Sequence, residues 1–117
     1  MARPSAPLTV PWRTAMRERH VAAPREAAWV ILLHLLGSSP DDLSVEPPWR
    51  HVRRLTIPGV EHGETTVTLR DDGPECHLAW CAGLAAEVDD TTADALLDQL
   101  AADGEELLGR VERGATA

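Results

Sequence analysis

From Asp90 to Gly114 the apolar residues recur with the period of an α-helix. On a wheel of about 100° per residue, Ala93, Leu96, Leu97, Leu100, Gly104, Leu107, Leu108 and Val111 fall within roughly ±60° of one direction. Asp94, Asp98, Glu105 and Glu112 lie outside that stripe, so the spacing predicts one long helix with a core-facing side. Asp90, Thr91 or Thr92 can cap its start, and an acidic first turn suits the helix dipole. Arg110 and Arg113 in the last turn, with Gly114 beyond, read as its stop. Gly104 sits on the apolar face, in the helix interior, where Gly costs about 1 kcal/mol relative to Ala. It provides either close packing against a sheet or room for a ligand.

The rest of the chain reads as one helix among short strands. A strand is expected from Trp12 to Ala23, and Pro24-Arg25-Glu26 then opens a helix that runs to Leu36 and stops at Gly37. Trp29, Leu32, Leu33 and Leu36 form its main stripe. Val30, Ile31 and Leu35 make it apolar nearly all round, which predicts burial or an interface. Residues 37–48 are loop with a short strand at Leu43–Glu46. Three strands follow, Arg50–Ile57, Glu64–Arg70 and Glu75–Ala86, separated by Pro58-Gly59 and by Asp71-Asp72-Gly73-Pro74. Such short turns mean antiparallel hairpins. In the first of these strands, Leu55 and Ile57 facing the core put His51 and Arg53 on the same inward face. A buried Arg needs a partner or a polar ligand, so the pair either meets an Asp or Glu near the strand's open end or contacts a bound molecule.

Composition sets the scale. The chain has 117 residues, 44% hydrophobic and 26% charged, which fits one soluble globular domain with a core of Leu, Val, Ile and Ala. Its aromatic residues are all Trp: Trp12, Trp29, Trp49 and Trp80. Net charge is −8, unevenly placed, with eight Arg against five acids up to Arg54 and three against 14 thereafter. No Lys/Arg cluster forms the electrostatic footprint of a nucleic-acid binder, so that class is disfavoured. Met1 to Pro11 is rich in Pro, Ala and Ser with no apolar stretch, and reads as a disordered leader without a signal peptide. The apolar run Ala27–Leu33 is too short to cross a bilayer. Cys76 and Cys81 point to opposite faces of one strand and cannot bridge, which leaves free thiols in a protein expected to be cytoplasmic. The histidines lack metal-ligand spacing, and no metal or other cofactor is expected.

The piece His20-Val21-Ala22-Ala23-Pro24-Arg25-Glu26-Ala27-Ala28-Trp29 resembles the opening of the START-like helix-grip superfamily (SRPBCC), including its bacterial polyketide cyclase/dehydrase and lipid-transport members. The run from Thr66 through Asp71-Asp72-Gly73-Pro74 to Trp80 is similar to that family's late hairpin, and the last helix to its C-terminal helix. The resemblance spans most of residues 13–113. It implies an α+β fold in which a curved antiparallel sheet wraps around a long C-terminal helix, here over residues 12–114, with an apolar cavity between them. Leu55, Val67, Leu69, Leu78 and Trp80 of the sheet and Leu97, Leu100, Gly104 and Leu107 of the helix would line that cavity around a hydrophobic, polyketide- or lipid-like molecule. If chemistry occurs there, His51 is the candidate base and Arg53 the candidate oxyanion stabiliser of a cofactor-free cyclisation or dehydration. The chain is short for the family and lacks its usual second helix, which predicts a smaller or more open cavity that a second subunit can complete. The alternative is a non-catalytic subunit, homodimeric or attached to a partner, that uses unpaired sheet edges and the apolar first helix.

Overall fold

Alternating and helical periods resolve into seven elements in the computed structural model, which describes residues 12–117: β1 (Trp12–Val21), α1 (Arg25–Leu36), β2 (Asp42–Glu46), β3 (Arg50–Arg54), β4 (His62–Asp72), β5 (Glu75–Ala85) and α2 (Asp90–Ala115). The strands form one antiparallel sheet in the order β1-β5-β4-β3-β2. Both helices lie on the same side of it. The leader expected at 1–11 lies outside the described residues.

Period two decides which side of each strand is dry. Cys76, Leu78, Trp80, Ala82 and Leu84 of β5 are all buried on the inner face. Their cross-strand partners on β4 include Val67 and Leu69, at 3% and 2% exposure. Trp29 and Leu32 of α1 and Ala101, Leu108 and Val111 of α2 complete the core from above. Here α2 crosses β1 and β5, while α1 packs on β4, β5 and α2. Neither helix has a comparable approach to β3 or β2, so the sheet extends beyond its helical cover. No helix among the described residues is long and apolar enough to cross a membrane.

Element ends differ from the sequence reading in instructive ways. The cap of α2 is Asp89, whose Oδ1 accepts from the Thr92 N–H at 2.7 Å, one residue before the expected candidates. Gly114 does not stop that helix, which continues to Ala115 and ends at Thr116. Its missing side chain serves packing instead: a Cβ there would stand 2.7 Å from Ile31 Cγ2 of α1. Strand β3 ends at Arg54 rather than Ile57, after the Leu55 N–H bonds the Gly63 carbonyl at 2.8 Å. α1 is less enclosed than its apolar circumference suggested, for Val30 is 64% exposed.

Candidate functional site

The centre of the grip is closed. Gly104 on α2 faces Trp80 on β5, and a Cβ on Gly104 would lie 2.3 Å from the indole Cδ2. The indole therefore occupies the space that the glycine leaves, and Gly104 provides close packing rather than ligand room. Trp80, Val67, Leu69 and Leu78 belong to one buried cluster with at most 3% exposure each. These expected lining residues are core.

The flanks of α2 differ. One flank turns to β1, where the Arg19 guanidinium meets Glu112 at 2.9 Å and Glu105 at 2.7 Å. Those two carboxylates hold Arg19 above its ordinary pKa. Further along, Arg13 meets Asp90 at 2.6 Å. Leu97 lies on this same side, where it lines a polar hollow of about 410 Å³ with Ala15, Arg17, Asp94, Asp98 and Ala101. The helical period puts Leu96, Leu100 and Leu107 on the opposite flank, away from β1 and on the side where Gly114 meets Ile31 of α1. All three are half-buried, Leu100 and Leu107 against the core margin. Leu55 is also half-buried, at the end of β3.

The inward alternation expected for β3 holds. His51 pairs with Val67 and Arg53 with Thr65 in the β3–β4 register, on the helix side of the sheet. Arg53 is fully engaged: Nε donates to Asp42 Oδ1 at 2.7 Å, Nη1 to the Leu36 carbonyl at 3.0 Å and Nη2 to the Gly37 carbonyl at 2.8 Å. It thus ties β2, β3 and the C-terminal end of α1 together, where a cation also suits the helix dipole. This is the carboxylate-paired arrangement, with three of the five guanidinium N–H groups committed. His51 is 2% exposed, with Nε2 3.3 Å from Asp42 Oδ1 but without a hydrogen bond. Burial pushes its pKa below the ordinary histidine value, against the pull of Asp42 and together with the repulsion of Arg53. The Arg53 hydrogen bond in turn holds the Asp42 carboxyl below the usual range.

Two features escaped the sequence reading. Asp42 is the acceptor around which His51 and Arg53 gather, and its only sequence signal was an Asp immediately before a short strand. On the outer face, away from the helices, Glu18, Thr68, Arg70, His77 and Ala79 line a hollow of about 430 Å³ that Trp49 and Arg25 help to close. Period two on β5, which aligns His77 with Ala79, was the available signal.

This sheet order, with a long final helix across it, defines a helix-grip fold. No family model matches the chain, and no curated protein matches it. Solved structures do. The chain matches CalU16 from Micromonospora echinospora with a TM-score of 0.66 at 15% identity, over 86% of this chain and 74% of that one. It matches the di-domain ARO/CYC StfQ of the steffimycin biosynthetic pathway at 0.72 and 9% identity, covering 90% of this chain and 51%, about half, of that one. Truncated norcoclaurine synthase from Thalictrum flavum gives 0.63 at 10% identity, covering 92% and 95%. At such identities the likeness establishes the fold, and a fold of this kind carries more than one chemistry.

Proposed function

We propose that the protein binds a hydrophobic small molecule in the uncovered half of its grip. The molecule would lie between the Leu96, Leu100 and Leu107 flank of α2 and the inner face of β3 and β4. The observation that carries this reading is the half-buried leucine flank, which lies on the side of α2 turned away from β1. Apolar area left at a concave junction is where burial of a ligand gains most. The similar solved structures include a di-domain ARO/CYC from the steffimycin biosynthetic pathway and a norcoclaurine synthase, and this supports the ligand class.

The reading stops at binding. Arg53 donates from each of its three nitrogens and His51 is enclosed, which supports a shaping role for both at the far end of the groove. Titration with the neutral lipophilic dye Nile red tests it. Saturable, blue-shifted emission in the native protein, abolished by Leu100→Glu, is expected. Absence of saturable emission contradicts it.

A second reading rests on the β2 edge. The sheet ends there at a five-residue strand in which Leu43 and Val45 are 44% and 42% exposed. An edge of this kind invites another chain. In that case a second copy or a partner, not a ligand, would complete the sheet. A dimer that dissociates on dilution and is lost in Val45→Lys would favour this alternative.

A further inference from the structure

We propose that the outer face of the sheet carries a second site, separate from the groove, for a planar aromatic carboxylate. Its floor is made of the short side chains of Ala79 and Thr68, which pair across β5 and β4 and so leave a hollow. The volume of about 430 Å³ fits a ligand of two or three fused rings.

The walls supply the chemistry. Trp49, 43% exposed, gives an aromatic surface for stacking. Arg70 is exposed on the rim and has no ion-pair partner among the described residues. Arg25 meets Asp71 through Nη2 at 3.2 Å, but its Nε is buried without a hydrogen-bond partner. On the far wall, His77 Nε2 lies 2.9 Å from Glu18 Oε1. A free guanidinium fork beside an aromatic surface suits a flat carboxylate, which it can grip through two parallel hydrogen bonds. Arg25 is answered by Asp71 and Glu26, so Arg70 is the guanidinium that a carboxylate would meet.

Calorimetric titration of the whole protein with 2-naphthoate, and with neutral 2-naphthamide as its control, tests this. Saturable naphthoate binding is expected, with the amide weaker by about tenfold, since the charge-assisted pair is lost. Arg70→Gln and Ala79→Leu, both at positions outside the core, should each weaken naphthoate by about tenfold, the second by filling the hollow. Leu100→Glu, which puts a carboxylate on the inner side of the sheet, should leave naphthoate unchanged. No binding up to ~5 mM, equal affinity for the amide, or indifference to both outer-face variants would overturn the proposal. Loss in Leu100→Glu alone would do so as well, and would put the naphthoate in the groove.

Discussion

Where α2 crosses β1 and β5, sheet and helix meet without space between them: an indole fills the hollow over Gly104, and Arg19 joins two helical carboxylates. Two strands away, at β3 and β2, no helix lies overhead, and a single Asp42–Arg53 pair ties the sheet to the end of α1. The same sheet is thus held by packing at one side and by a polar clamp at the other. Packing resists a large cut in apolar volume poorly but tolerates acid. A clamp built on one carboxylate behaves in the opposite way.

The sharpest way to break the comparison is to cut the packed half. Trp80→Ala should cost about 3–5 kcal/mol in urea unfolding, as expected for a large buried aromatic. Gly104→Leu should cost up to about 3 kcal/mol by overpacking against the same indole. The double variant should recover part of the loss, because leucine then occupies the space the indole vacates. Additive losses would mean that the two positions are not in contact.

The clamp should respond less to substitution and more to pH. Asp42→Ala removes a charged hydrogen bond and should cost about 1–2 kcal/mol. His51 keeps a depressed pKa when folded, so below the ordinary value of 6.5 the unfolded chain takes up a proton that the fold refuses. Stability should therefore fall as pH drops from 6.5 toward the folded value of His51, and His51→Gln should flatten that slope. Asp42, held below its ordinary 3.8, contributes stability that is present above pH 3.8 and lost as pH falls through its folded value. Unfolding midpoints across pH check both. At the helix start, Asp89→Ala should cost about 1 kcal/mol through the lost cap. The smallest effect belongs to Arg19→Ala. Its ion pairs are partly solvated, so the loss should stay below about 1 kcal/mol and shrink in high salt.

Much of this architecture is legible in the chain. The 3.6-residue period of α2, the Ala23-Pro24 opening of α1 and the period-two faces of β4 and β5 all depend on local spacing, and they hold. The inward face of His51 and Arg53 follows from period two as well. What spacing could not give is the partner across space. Nothing local says that the gap at Gly104 meets Trp80, that Asp42 sits beneath Arg53, or that Ile31 approaches Gly114. Leu97 and Leu100, three residues apart on one stripe, fall on different flanks because α2 lies off-centre over β1 and β5. That offset belongs to the packing of the whole sheet. The hollow at Ala79 was hidden for a similar reason, since it needs three strands and the Trp49 loop at once.

The most direct test of the account is native mass spectrometry of the protein after exposure to an extract of its source cells. The account predicts a monomer that retains a small apolar molecule at one-to-one stoichiometry, and loss of that molecule in Leu100→Glu while Arg70→Gln keeps it. A bare protein at twice the chain mass, unchanged by Leu100→Glu, would contradict it and make the β2 edge the working surface.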